Sequence, residues 1–183
     1  MKKAFVICSL LMFAVTGASA QLFYTKNGSV SFFSSTTMED IKANNNQVIS
    51  ILNTRTGEMQ FSLLNNAFHF KKALMEEHFN EDYIESAKYP KSSFKGSISN
   101  LGQVDLSKDG VYTVSVTGNL TIHGVTKAVT VPGKLTVKGG AISASAIFKV
   151  SPKDYNITIP AAVRNNIAKE IEITVTCSYE KKS

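Results

Sequence analysis

The chain has 183 residues, 43% of them hydrophobic, and a net charge of +6, which suits one domain with a sizeable core. Its positive residues are scattered and rarely interleaved with exposed aromatics, which argues against a nucleic-acid surface. Of its two cysteines only Cys177 lies beyond the N-terminal leader described next, so no disulfide can staple the fold and apolar burial must hold it.

In chain order, the first feature is an address. Lys2 and Lys3 form a positive start, residues 4–15 are apolar but too short to span a bilayer, and Ala18-Ser19-Ala20 supplies small residues for cleavage. Residues 1–20 are therefore expected to be a signal peptide cleaved after Ala20. Residues 21–183 then form one domain, periplasmic or secreted and not an integral membrane protein. Cys8 stands too early to be a lipoprotein cysteine.

Val30 to Ser34 reads as a strand. Thr36-x-x-Glu39 resembles a capping box and predicts a short helix toward Asn44. Gln47 to Asn53 and Glu58 to Leu64 form an expected hairpin about Thr56-Gly57. Phe68 and Phe70 follow, and Lys71 to Asn80 has Leu74, His78 and Phe79 near helical spacing. Ser92 to Ser99 is a strand with Phe94, Gly96 and Ile98 on one face.

The second half alternates strictly. Tyr112, Val114, Val116, Gly118, Leu120 and Ile122 share one face, and Asp109-Gly110 before them is a turn signal. Val129, Val131, Leu135 and Val137 share the next, with Pro132-Gly133 predicting a bulge or bend. Gly139-Gly140 is a hairpin turn. Ile142, Ala144, Ala146, Phe148 and Val150 form a third set. The last is Ile171, Ile173, Val175, Cys177 and Tyr179, which puts Cys177 on a buried side. Lys153 to Ala168 is ambiguous: Pro160 forbids a central strand, and Ala161 to Ala168 fits a turn of helix.

About eight strands, each with one apolar and one wet face, predict an all-β fold with short helices. A single antiparallel barrel removes the edges that a flat sheet would expose; a sandwich is the competing architecture. Catalytic constellations are sparse. His69, His78 and His123 lack zinc spacing, although Glu76, Glu77 and Glu81 lie near the first two. Asp105, Asp109 and Asp154 sit where carboxylates cap turns. Cys177 has no nearby base, and no nucleophile elbow exists. No enzyme, metal or cofactor is expected.

The most specific segment is Gly118-Asn119-Leu120-Thr121-Ile122-His123-Gly124-Val125-Thr126-Lys127, a strand, a tight turn and the next strand. It resembles the "G-x-LT-x-x-GVTK" signature of the YceI-like domain, a periplasmic lipid- or polyisoprenoid-binding family. Ala87 to Phe94 is similar to that family's "KYP-x-A-x-F" strand, Asp154-Tyr155-Asn156-Ile157 to its "D-[FY]-G-I", and Ile171-Glu172-Ile173 to its closing strand. The resemblance runs from Gly28 to Tyr179. Ala128 replaces a frequent proline, Asn156 replaces a glycine, and the N-terminal third, with Met38 to Ile41 and Leu74 to Phe79, resembles a shorter Bacteroidetes-type branch.

The resemblance implies a lipocalin-like barrel, open at one end, with a long apolar chain inside: a polyisoprenoid, an isoprenoid quinone or a fatty chain. Face assignment puts Phe61, Phe70, Phe79, Phe94, Ile98, Val114, Val116, Leu120 and Phe148 inside as ligand-binding residues. Leu74 and Phe79 sit on a short helix over the open end. The implied partners are an apolar small molecule and the membranes with which it is exchanged; a homodimer stays open. A solid-core structural or stress-response protein and a metal-dependent enzyme or hydrolase are the competing readings.

Overall fold

The computed structural model describes residues 22–182, and the expected leader, residues 1–20, lies outside them. Strands β1 (Leu22–Ser35) and β2 (Asp40–Asn53) pair antiparallel along nearly their whole lengths. β3 (Glu58–Leu64) returns along β2, and the two-residue β4 (His69–Phe70) pairs further along the same edge. Helix α1 (Ala73–His78) and a π-helical turn (Phe79–Tyr83) precede β5 (Lys91–Ile98), which pairs with β3. β6 (Gly110–Ile122), β7 (Val125–Lys138), β8 (Ala141–Val150) and β9 (Ile171–Lys181) follow as a meander.

β9 pairs with β1 and β1 with β2, so the ring β1-β9-β8-β7-β6-β5-β3-β2 closes into an eight-stranded antiparallel barrel, with β4 as an appendage. Closure pairs the backbone groups that an open sheet would leave at its edges. Two hairpins turn on paired residues of positive φ: Gly139-Gly140 at +56° and +78°, and His123-Gly124 at +50° and +72°. Turns with two positive-φ residues match the twist of the flanking strands.

Three local expectations are corrected. The Thr36 cap forms, with Oγ1 accepting the N–H groups of Met38 and Glu39, but it closes the β1–β2 turn instead of opening a helix. From Asp40 onward the chain is extended because β1 pairs with it as far as Asn53, and that ladder outweighs a local cap. Pro132-Gly133 is no bulge on the β6 side, where the register runs unbroken from Gly110↔Val137 to Ile122↔Val125. On the β8 side, pairing runs from Lys138↔Ala141 at the hairpin to Gly133↔Ala146 and stops there. Proline has no N–H for a second ladder, so β7 and β8 part at Pro132. The strand expected over Val30 to Ser34 extends back to Leu22.

The β2–β3 turn, the β5–β6 loop and the β7–β8 turn share one end of the barrel by register. That end is solid. Leu52, Leu135, Val137 and Ile142 are almost fully buried, and Leu101, Val104 and Leu106 of the β5–β6 loop pack against the same cluster. Ser50 and Tyr179 place two hydroxyls in it, 2.8 Å apart and bonded to each other, so neither is left without a partner.

Cys177 belongs to this floor, and burial pushes its thiol up to about 11. The thiolate is the reactive form. Iodoacetamide at neutral pH is expected to leave Cys177 unmodified in the folded protein and to alkylate it readily after denaturation, read by peptide mass mapping. Equal labelling rates in both states would show that the floor opens.

Candidate functional site

The other end of the barrel is hollow. A cavity of about 530 Å³ fills it, walled by the inward faces of the strands. Val116 and Leu120 of β6, Phe148 of β8 and Ile173 of β9 point inward yet remain only half-buried, because they face empty space. Phe61 and Phe94 meet edge to face with centroids 6.1 Å apart on the β3–β5 wall. Such a volume and such a wall are those of a small-ligand site.

Of the residues expected inside, Phe61, Phe70, Leu74, Phe79, Phe94, Val114, Val116, Leu120 and Phe148 border the cavity. Ile98 does not. It shares the face of Phe94 but lies at the far end of β5, 4% exposed within the packed floor. Periodicity assigns a face and not a height along the barrel.

Sequence reasoning missed part of the wall. Phe32 and Phe68 join Phe70 and Phe79 in an aromatic cluster, with centroids 5.2–5.6 Å apart, that pins α1 and β4 to β1. Tyr155, Ile157, Ile159 and Val163 of the segment 151–168 also line the cavity, as do Val129 and Val131 of β7 above its split from β8. The isoleucine pair Ile157 and Ile159 carried an alternation signal, but Pro160 obscured it.

Two polar ties hold the covering segments to the rim. Lys72, just before α1, donates to Glu39 Oε1 at 2.9 Å, and Asn166 Nδ2 donates to Glu39 Oε2 at 3.4 Å. All three residues border the cavity. Nearby, Leu74 is 61% exposed while also lining the cavity, so the hollow reaches the surface beneath α1.

The second tie centres on His123. Its Nδ1 lies 3.0 Å from the Tyr155 carbonyl and its Nε2 2.7 Å from Glu85 Oε2, and Tyr89 packs edge-on at 4.3 Å. Both ring nitrogens are thus engaged, one with a backbone carbonyl and one with a carboxylate. The non-glycine residues with positive φ among those described are Glu85, His123 and Asn156, at 46°, 50° and 56°. All belong to this clamp or adjoin it. Backbone strain of this kind persists where the surroundings over-determine it.

The hydrogen bonds to Lys72 and then Asn166 lower the Glu39 carboxyl below its usual range, and the bond to His123 chiefly lowers that of Glu85. Both ionise more readily in the folded protein than in the unfolded chain. Their stabilisation is therefore complete above about pH 4.5 and is lost as pH falls through the lowered folded values. Between about pH 6 and about pH 3, amide protection is expected to fall first in residues 73–90 and 151–168 and to persist in the barrel strands. Hydrogen exchange corrected for intrinsic rates measures this; simultaneous loss everywhere would count against the ties.

The other two histidines form separate contacts: His69 with Glu76 at 3.5 Å and His78 with Asp82 at 2.8 Å. Among the described residues, no three His, Cys, Asp or Glu side chains are grouped to hold a metal ion. No helix among them is long and apolar enough to cross a membrane.

A closed eight-stranded barrel with one packed end and one apolar hollow end is of the lipocalin-like class. Comparison with known proteins narrows the class. The chain belongs to the YceI-like domain family, whose pattern matches residues 12–179. It is 30% identical over 113 residues to a UPF0312 protein of Enterobacter sp. (strain 638), covering 58% of this chain and 55% of that one. It is 37% identical over 82 residues to the protein YceI of Escherichia coli O157:H7, covering 42% and 39%. The matched stretches thus span about half or less of these curated relatives' own lengths.

Among solved structures, a polyisoprenoid binding domain from Saccharophagus degradans implicated in plant cell wall breakdown has the same fold. Its TM-score is 0.77 at 15% identity, covering 90% of this chain and all of that one. BcnA of Burkholderia cenocepacia follows at 0.69 and 17%, covering 84% and 96%.

Proposed function

We propose that this protein holds the apolar tail of an isoprenoid or other lipid in the hollow end of its barrel, as an exported carrier or store and not a catalyst. The observation that carries this reading is the contrast between inward side chains that are packed tight at the floor and inward side chains that face an empty 530 Å³ above it. A solid core would bury both sets alike. Membership of the YceI-like family supports the reading, as does the polyisoprenoid ligand named for the Saccharophagus degradans domain.

On this reading Phe61, Phe70, Phe79, Phe94, Val114, Val116, Leu120 and Phe148 contact the tail, and Leu74 on α1 stands at its exit. The driving force needs no catalytic group: apolar area leaving water contributes about 25 cal/mol per Å², against the cost of ordering the chain. The expected signal peptide fits a periplasmic or extracellular site of action.

Solvent extraction of protein purified from its native host, followed by mass spectrometry, tests the proposal. About one apolar molecule per chain is expected. An empty protein that also takes up no isoprenoid quinone would sink it. N-terminal sequencing of the purified chain tests export, with Gln21 as the expected first residue.

A further inference from the structure

Resting on that reading, we propose that the β7–β8 side of the barrel docks on an anionic lipid bilayer and that the tail crosses the wall between these two strands. The hollow meets the surface in two places. One lies beneath α1, where Leu74 marks the end of a seated tail. The other is a slit in the wall. Residues 125–132 of β7 pair only with β6, and residues 147–150 of β8 pair only with β9. Four rungs of ladder are absent there, about 13 Å of strand. Both lips of the slit face the hollow, for Val129, Val131, Phe148 and Val150 line it.

Side chains, and not a ladder, close the slit. Ile157, Ile159 and Val163 of the segment 151–168 line the hollow together with the lips. The backbone N–H groups of Asp154, Asn156, Ile157 and Val163 all donate to carbonyls of the same segment. Its ties to the barrel stand at its two ends: Tyr155 with His123, then Asn166 with Glu39 and Ala168 with Ser34. Among the described residues, 156–165 thus form a strap fastened at both ends, with no backbone bond to β7 or β8. A segment with so few bonds opens locally at low cost.

Charge decides which opening meets a membrane. The two lips and the segment that follows, residues 125–134 and 147–170, carry six basic side chains and two acidic ones. Lys127, Lys134, Lys149, Lys153, Arg164 and Lys169 are all exposed. At the other opening, residues 71–85 carry two lysines against five carboxylates. An anionic surface repels that side and favours the slit, by about fivefold for each basic residue close to it. Apolar surface lies among these cations. Ile147 is 59% exposed on β8, and Pro132 at the lip and Pro160, Ala161 and Ala162 on the strap are exposed too. Binding in a lipid interface combines these two attractions.

Flotation with vesicles tests the docking face. Binding is expected to equal parts of phosphatidylglycerol and phosphatidylcholine and not to phosphatidylcholine alone, and it should weaken with salt. Lys153→Gln with Arg164→Gln is expected to weaken it about thirtyfold. Lys91→Gln with Lys95→Gln removes the same charge from the outer face of β5 and is expected to bind as the parent does. Equal loss in the two pairs would show that net charge alone attracts the protein, and that overturns the proposal. Failure of the parent to bind the anionic vesicles does the same.

The route is read separately, from the rates at which geranylgeraniol leaves the anionic vesicles for the protein and returns, followed by mass spectrometry. Asn166→Ala frees the strap and Lys72→Met frees α1, each by removing one bond to Glu39. Freeing the strap is expected to speed uptake and release together by about fivefold, and by more than freeing α1 does. Equal or greater acceleration by Lys72→Met overturns the slit as the route. A protein that docks but takes up neither this prenol nor an isoprenoid quinone overturns the carrier reading and the crossing with it, whereas the docking face stands.

Discussion

Leu135→Ala is expected to destabilise the protein by about 2–5 kcal/mol, while Leu120→Ala, which deletes the same atoms, costs under about 1 kcal/mol. Both leucines face inward, on the paired strands β7 and β6. Leu135 is 1% exposed in the floor cluster, so its removal leaves a void that the surrounding side chains fill only in part. Leu120 is half-buried against the hollow. Truncating it enlarges a space that already exists and gives up fewer contacts.

Urea denaturation of ligand-free protein measures both, provided the slope with denaturant is unchanged. The contrast also separates the carrier from a solid-core protein. If Leu120→Ala costs as much as Leu135→Ala, the upper barrel is packed and has no room for a tail. With ligand bound, the order of sensitivity narrows, because Leu120 then gains a partner whose binding stabilises the folded state.

How much of this was legible in the sequence depends on what alternation can encode. In β6, β8 and β9, Val114, Phe148 and Cys177 fell on the expected faces because a closed barrel keeps one side of every strand in the interior. Height along the barrel leaves no such trace. Ile98 and Phe94 share a face, yet one is floor and the other cavity wall. Thr36 gave a true local cap but a false helix, since only pairing with β1 makes Asp40 to Asn53 extended. Pro132 signalled an interruption whose kind, a split from β8, depends on the third strand.

His123 was read as part of a tight turn. Its ties to Glu85 and Tyr155 span 38 and 32 residues and could not be seen from spacing. They explain why a residue with a side chain occupies a positive-φ position that glycine or asparagine would fill at less cost. Gly124 beside it is constrained differently, for a Cβ there would lie 2.6 Å from the Tyr89 ring.

Gly118→Ala is expected to cost about 3 kcal/mol and Gly118→Val to prevent stable folding, at the upper end of what overpacking does. Gly118 stands opposite Gly96 on the inward face where β6 meets β5. A Cβ on Gly118 would lie 2.5 Å from the Gly96 Cα and 2.6 Å from Phe94 Cζ, and closer still to the Lys95 carbonyl oxygen. Two of these three obstacles are backbone and cannot rotate away. The third is the Phe94 ring, which lies across the glycine pair. Its removal in Phe94→Leu is therefore expected to recover only a minor part of the loss in the double variant, measured as a coupling energy from a denaturation cycle. Full recovery would mean that the aromatic ring, and not the close approach of β5 and β6, requires glycine at the start of the segment 118–127. That approach lies between Ile98 in the floor and Phe94 in the hollow, so widening it is expected to weaken ligand uptake as well as the fold.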